Sequence, residues 1–227
     1  MCGRFTLAAS AHAIKELFPL FDEADPEPQY NIAPTQSLLA VRQLPASARP
    51  EFVRLRWGLI PSWADDPKVG YRTINARSES VASKPAFRTP FRESRCLILA
   101  DGFYEWKKTD GSKQPFHIRL KTGKPFAFAG LYAHWDKGEK PIDSCTILTT
   151  EANELMRTLH DRMPVILEPA SFDQWLDPTQ HKPEPLQALL RPFPSETMTA
   201  IPISTYVNNA RNQGPECIAP LEDPGSG

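Results

Sequence analysis

The sequence predicts an α+β fold: a single domain built on a mainly antiparallel, barrel-like β-sheet with a few short flanking helices. Three observations lead there. Short apolar segments follow one another along the chain, and some alternate apolar and polar residues with a period of two. Turns, not long amphipathic helices, separate them, which disfavours a doubly wound parallel sheet. The 24 prolines, against 11 glycines, are spread over the whole chain and mark many short elements.

The elements follow in order. Ser10 caps a helix to Phe18 whose apolar face is Ile14, Leu17 and Phe18, with Pro19 as its stop. Leu38–Arg42 is a strand. In 52–59, Val53, Leu55, Trp57 and Leu59 alternate with Arg54 and Arg56, the pattern of a half-buried strand. Cys96–Ala100 reads as a buried strand. Phe103–Lys107 and Pro115–Leu120 flank Thr109-Asp110-Gly111, a hairpin turn. Phe126–Tyr132 and Cys145–Thr149 add two strands. Thr150 caps a helix carrying Leu155, Met156 and Leu159, and Met163–Leu167 is again a strand. Pro169 opens a helix with Phe172, Trp175 and Leu176 inside, Pro185–Leu190 is another, and Thr199–Ser204 is the last strand. One domain is expected over residues 1–222, with 223–227 as a flexible tail.

A chain of 227 residues buries roughly 70% or more of its unfolded surface. Its composition, 41% hydrophobic and 23% charged, excludes whole-chain disorder. No stretch approaches the roughly 18 apolar residues of a membrane span. Met1-Cys2-Gly3-Arg4-Phe5-Thr6 lacks the basic start and apolar run of a signal peptide. The expectation is a soluble, cytoplasmic protein.

Net charge is −1, which by itself argues against a nucleic-acid binder. Its distribution argues the other way. Residues 52–96 hold nine Arg or Lys against four Asp or Glu, a local +5 that suits a phosphate-binding face. The four cysteines form no CxxC pair and have no histidine at ligand spacing, so no metal site is expected. Cys96 and Cys145 lie in apolar runs and read as inert core residues.

Cys2 is different because of its position. Removal of Met1 leaves it with an α-amine of pKa about 7.7–8.0 and a thiol of about 8.5 on adjacent carbons. Such a 1,2-aminothiol condenses with an aldehyde to an imine, and the thiol then closes a thiazolidine ring. An N-terminal cysteine also serves amide hydrolases as nucleophile, with its own amine as base.

Three further segments carry candidates. In Ile74-Asn75-Ala76-Arg77-Ser78-Glu79, the Asn75 amide suits a sugar oxygen and Arg77 suits a bidentate phosphate contact; the alternative is a polar loop. In Asp101-Gly102-Phe103-Tyr104-Glu105-Trp106-Lys107, Glu105 sits among aromatics, where desolvation would raise its pKa into a range useful for proton transfer. Tyr104 and Trp106 offer faces to stack on bases. The alternative for Glu105 is an outward position on an edge strand. In Thr158-Leu159-His160-Asp161-Arg162-Met163-Pro164, His160 ends a helix with acid–base capacity near neutral pH, and Arg162 suits a phosphate; the alternative is a structural cap. His12, His117, His134 and His181 read as surface or structural.

Taken in order, Cys2-Gly3-Arg4-Phe5, Asn31-Ile32-Ala33-Pro34-Thr35, Trp57-Gly58-Leu59-Ile60-Pro61, Ile74–Glu79, Gly102–Trp106 and His160–Pro164 resemble the SOS-response-associated peptidase (SRAP) family. The resemblance runs from Cys2 to Asn212-Gln213-Gly214. It implies a sensor and shield of abasic sites in single-stranded DNA that crosslinks to them covalently. Cys2, after loss of Met1, would be the crosslinking residue. Asn75 would hold the opened deoxyribose, Glu105 would relay protons, and His160 would act on the sugar hydroxyl or leaving oxygen. Arg4, Arg77 and Arg162 would bind flanking phosphates. Trp106 would offer a stacking surface, with Trp57 and Trp63 as further candidates. The implied partner is abasic single-stranded DNA, including junctions with duplex, bound by a monomer without cofactor or metal and associated with the nucleoid when on DNA. The family's peptidase label fits removal of residues ahead of Cys2.

Two other functions use the same residues differently. An N-terminal-nucleophile amidase would hydrolyse an amide at Cys2 and need an oxyanion hole. A non-covalent single-strand binding module would bind with salt sensitivity and leave no bond after denaturation.

Overall fold

An odd ring of five strands is the frame of the molecule. The computed structural model describes residues 2–19, 26–109 and 111–221. Its strands are β1 (Phe5–Leu7), β2 (Gln29–Ile32), β3 (Ser37–Arg42), β4 (Glu51–Trp57), β5 (Asn75–Arg77), β6 (Arg95–Ala100), β7 (Gly102–Thr109), β8 (Ser112–Leu120), β9 (Phe126–Trp135), β10 (Ile142–Glu151), β11 (Arg162–Pro164), β12 (Ile166–Leu167) and β13 (Met198–Pro202). Strands β10, β4, β3, β6 and β9 pair in that order, and β9 pairs back to β10, closing a barrel. Four of those pairings are antiparallel and β4–β10 is parallel. A closed ring of five strands cannot alternate direction throughout, so one parallel pair is required. Closure also removes exposed sheet edges.

Beyond β4, the same edge of β10 continues with β5, in parallel, placing Asn75 opposite Ile147 and Arg77 opposite Thr149. Its other edge passes from β9 to β11, and β12 pairs with β9. A second, wholly antiparallel sheet runs β13–β8–β7–β1–β2. Aromatic edges join the two sheets. The Phe5 ring centroid lies 5.2 Å from that of Trp57 and 5.7 Å from that of Phe128, and Phe103 reaches Phe128 at 6.1 Å. These T-shaped contacts add to the area burial of large side chains. The main apolar core therefore spans both sheets, with two smaller clusters beside it, and the α+β, barrel-like expectation holds.

The elements differ from the sequence reading in instructive places. Strand β4 stops at Trp57 because Gly58 turns with φ +120° and donates its N–H to Cys145 O at 2.8 Å. A Cβ on Gly58 would lie 2.5 Å from Gly70 O, so only glycine fits this approach. Thr150 is not a helix cap: it lies within β10, opposite Met163. The helix α3 (Glu154–Arg157) is capped by Asn153, whose Oδ1 accepts from Met156 N at 2.9 Å. Met163–Leu167 is split at Val165, whose N–H goes to Leu148 O on β10 while its carbonyl accepts from Ala129 on β9. Ser10 does cap a helix, α1 (Ala11–Leu17), accepting from Ala13 N at 3.2 Å. The hairpin turn is in place, with Thr109 opposite Ser112; Asp110 lies outside the described residues, as do Met1 and the tail at 223–227.

Two helices meet on one buried cation. Arg95, expected on a basic surface, is 4% exposed. Its guanidinium donates to Phe91 O and Arg92 O in α2 (Arg88–Glu93), a helix the sequence reading did not foresee. It also donates to Trp175 O and Asp177 O at the end of α4 (Phe172–Leu176), which follows a 3-10 turn at Pro169. One side chain thus serves the open carbonyls of two helix C-termini. Burial lowers its pKa to about 10, which leaves it charged. A last helix, α5 (Pro183–Gln187), packs Leu186 inward. Among the described residues no helix is long and apolar enough to cross a membrane.

Candidate active site

Cys2 precedes β1, and β1 is held tightly to β7. Phe5 pairs with Phe103, Tyr104 N–H donates to Arg4 O at 3.0 Å, and Asp101 N–H donates to Thr6 O at 2.9 Å. The Asp101 carboxylate accepts from Thr6 Oγ1 at 2.5 Å and from Ala8 N at 2.7 Å. Thr6 gives its proton to Asp101, so the 3.3 Å contact between Thr6 Oγ1 and His117 Nε2 has the imidazole as donor. Burial lowers the His117 pKa to about 4 and keeps that ring neutral. His117 is thus structural, as read from the sequence, but buried; the Asp101–Thr6–His117 lock itself was not foreseen.

This anchoring brings the N-terminal segment beside residues from distant parts of the chain. Asn75, first in β5, donates from Nδ2 to Cys2 O at 2.8 Å. Its Oδ1 is buried and has no hydrogen-bond partner among the described residues, leaving an acceptor for an added donor. Glu105 lies on β7, an inner strand between β8 and β1, and is 5% exposed. The edge-strand alternative is therefore wrong. Burial raises its pKa above the ordinary carboxylate value, and the electrostatic influence of His160 opposes that rise. Burial also pushes the Cys2 thiol up, and the charge of Glu105 adds to this, so the thiol is protonated at neutral pH. His160 follows α3, and its N–H bonds to Met156 O at 2.8 Å. Its Nδ1 accepts from Arg162 N at 3.0 Å and lies 2.6 Å from Asp161 Oδ1. Cys2, Asn75, Glu105 and His160 are thus brought into one neighbourhood.

The cations and aromatics assigned to DNA are placed unequally. Arg77 is exposed at the end of β5. Arg162 forms a two-pronged pair with Glu79 and donates to Thr149 O at 2.7 Å. Arg4 is tied inward, to Asn31 Oδ1 at 2.8 Å and to the carbonyls of Val207 and Asn208. The fully buried Asn31 also holds the carbonyls of Asn209 and Asn212, a hub that its polar character alone did not reveal. Trp106 is half-buried, with Nε1 donating to Asn208 Oδ1 at 2.7 Å. Tyr104 cannot stack on a base, because it is fully buried with its hydroxyl on Tyr30 O at 2.6 Å. Trp57 is likewise core, its Nε1 on Ile74 O. Trp63 is exposed, and so is Tyr71, which the sequence reading passed over. Of the nine cations in 52–96, Arg54, Lys68, Arg72, Arg77, Lys84, Arg88 and Arg92 are exposed, Arg56 is half-buried and Arg95 is internal. Among the described residues no group of three His, Cys, Asp or Glu is arranged to hold a metal ion.

Comparison with known proteins adds the family. The family model described as SOS response associated peptidase (SRAP) matches residues 1–210. The chain is 46% identical over 223 residues to "Abasic site processing protein YoqW" of Bacillus subtilis (strain 168), a match that covers 96% of this chain and 99% of that protein. It is 33% identical over 265 residues to "Abasic site processing protein HMCES" of Gallus gallus, covering 98% of this chain and 78% of that one. A crystal structure of a protein from Bacteroides thetaiotaomicron superposes with a TM-score of 0.83 at 26% identity, covering 97% of this chain and 100% of that one.

Proposed function

The chain belongs to the SOS response associated peptidase family, and from that premise we propose that it processes abasic sites in single-stranded DNA by bonding to them covalently through Cys2. Loss of Met1 exposes the Cys2 amine. The ring-opened abasic sugar presents an aldehyde at C1′. The amine attacks it, one water leaves, and an imine forms. The thiol sulfur then adds to the imine carbon while its proton passes to nitrogen, closing a thiazolidine. One C=O bond is replaced by one C–N and one C–S bond. Ring closure removes the iminium that would promote β-elimination, so the strand remains unbroken.

The residues around Cys2 suit these steps. Asn75 fixes the Cys2 carbonyl and keeps an unused acceptor for an amine or sugar hydroxyl. Glu105, its pKa raised by burial, holds a proton more readily than an exposed carboxyl and so suits a relay between amine and sugar. His160 serves the sugar hydroxyl or leaving oxygen. A protonated thiol fits second position in the sequence, after the amine. Arg77, Arg162 and Arg4 with the Trp106 face form the strand contacts. An abasic site has no base to read, so recognition rests on backbone charge and the sugar. The protein works as a cytoplasmic monomer, and the family's peptidase label corresponds to clearing residues ahead of Cys2.

The observation that supports this reading most is the convergence of Cys2, Asn75, Glu105 and His160 from four separate segments of the chain. The test is a denaturing gel with an abasic single-stranded oligonucleotide. Wild type gives a slow-migrating adduct; Cys2→Ala and a preparation that retains Met1 give none. An adduct of the same kind with Cys2→Ala would mean that another residue reacts and would overturn the proposal.

A further inference from the structure

Arg162 is assigned to a strand phosphate, yet its guanidinium already holds an anion from the same chain. Glu79 lies just past β5, two residues beyond Arg77. Its Oε1 accepts from Arg162 Nη1 at 2.5 Å and its Oε2 from Nη2 at 3.0 Å. Nη2 also donates to Thr149 O at 2.7 Å, which anchors the guanidinium against β10. The two partners are unequally exposed: the Arg162 side chain retains 13% of its surface and that of Glu79 54%. The acid therefore faces solvent and is the partner free to swing away. Hydrogen bonding to Arg162 holds the Glu79 carboxyl below its ordinary pKa, against a smaller desolvation effect, and Arg77 contributes in the same direction. Glu79 is thus ionised at neutral pH. Arg162 Nε is buried and has no hydrogen-bond partner among the described residues, so the carboxylate leaves the guanidinium incompletely satisfied.

A phosphodiester offers a guanidinium the same two-oxygen edge that a carboxylate does. Both cannot occupy the Nη1–Nη2 edge of Arg162 at once. We propose that Glu79 is a built-in competitor for strand phosphate, occupying the Arg162 fork until a backbone phosphodiester displaces it. The inference rests on the reading of Arg162 as a phosphate contact. Its consequence is discrimination. An undamaged strand gains only the difference between two ion pairs at Arg162 and is released quickly. A strand with an abasic site is retained by the bond to Cys2, whatever the strength of the phosphate contacts.

The experiment is a double-mutant cycle on the intact protein with an undamaged, fluorescent single-stranded oligonucleotide. Affinity is read by anisotropy over a salt series, for wild type, Glu79→Gln, Arg162→Ala and the double variant, each checked for a native melting transition. Arg162→Lys replaces Arg162→Ala if the latter does not fold, since it keeps the charge and loses the fork. Glu79→Gln should tighten binding about fivefold at low salt. It should also steepen the log–log salt dependence by up to about 0.7. Arg162→Ala should weaken binding and flatten the slope, and on that background the Glu79→Gln gain should fall below about twofold. If Arg162→Ala weakens binding but Glu79→Gln does not tighten it, Glu79 merely positions the guanidinium and the inference fails while the reading of Arg162 stands. A Glu79→Gln gain that persists in full without Arg162 would show general charge repulsion and would also overturn it. If Arg162→Ala leaves affinity and slope unchanged, the reading of Arg162 itself fails, and the inference with it.

Discussion

Asn75 and Cys2 are joined by a 2.8 Å hydrogen bond from the side-chain amide of one to the backbone carbonyl of the other. The bond crosses between the two sheets. Asn75 belongs to β5 on the barrel strand β10, whereas Cys2 leads into β1 of the second sheet. It therefore fixes the Cys2 backbone relative to the barrel. Asn75→Ala should slow adduct formation by about tenfold or more, the factor for one lost, oriented hydrogen bond of roughly 1.4 kcal/mol. Single-turnover crosslinking on denaturing gels measures this. An unchanged rate would mean that the terminus is positioned by other contacts.

Glu105 links site chemistry to stability. Its pKa is raised in the folded protein, chiefly by burial, with His160 acting against the rise. A carboxyl with a raised folded pKa stabilises the fold below its unfolded value, 4.5, and loses that contribution as pH rises through the raised value. Glu105→Gln removes the cost of ionising a buried acid. The variant should melt above wild type at pH 8, and the difference should vanish as pH falls below 4.5. Crosslinking by the variant should slow by about 10²–10⁴-fold. Thermal melts across pH, paired with rates, test both; a variant less stable at pH 8 and equally reactive would contradict the assignment.

Gly102 leaves room for the imidazole that locks β1. A Cβ at Gly102 would lie 2.0 Å from His117 Nε2, inside any tolerable contact. Gly102→Ala should therefore push His117 off Thr6 and loosen the Asp101 hold on β1, with a loss of about 1–3 kcal/mol in urea unfolding. Slower crosslinking should accompany it, because Cys2 lies just ahead of that strand. Wild-type stability in this variant would show that the pocket yields freely.

Arg95 should be a stability residue without a role in DNA contact. Arg95→Ala leaves the carbonyls at the ends of α2 and α4 without their donor and opens a buried gap. A loss of about 3–5 kcal/mol is expected, the range for breaking a buried charged network. The exposed neighbour Arg92, changed to Ala, should alter stability by less than about 0.5 kcal/mol. Equal effects of the two substitutions in urea titrations would refute the double-cap role.

Continuous apolar runs made β6, β9 and β10 legible, because those strands are buried along most of their length, and period-two alternation marked β4. Neither pattern could reveal β1, β2 or β5, which have three or four residues and take their stability from neighbouring strands. Thr150 looked like a cap because it stood before an apolar run; β11 pairing keeps β10 extended past it, and the capping falls to Asn153. At the site, residue type pointed to Cys2, Asn75, Glu105 and His160, while their order along the chain carried the family resemblance. Exposure was not legible. Tyr104, Glu105 and Trp106 are consecutive, yet burial of the strand on both faces makes Tyr104 core and Glu105 a desolvated acid, with only Trp106 partly open. Likewise Arg95 and Arg77 look equivalent in composition, and tertiary packing makes one internal and the other exposed.

The most direct test of a bond formed by the Cys2 amine and sulfur is the intact mass of purified protein, before and after incubation with an abasic single-stranded oligonucleotide. The expected result is a starting mass lacking Met1 and a one-to-one product equal to protein plus oligonucleotide minus one water. A product of that mass from protein that still carries Met1, or no mass shift from protein that has lost it, would contradict the account.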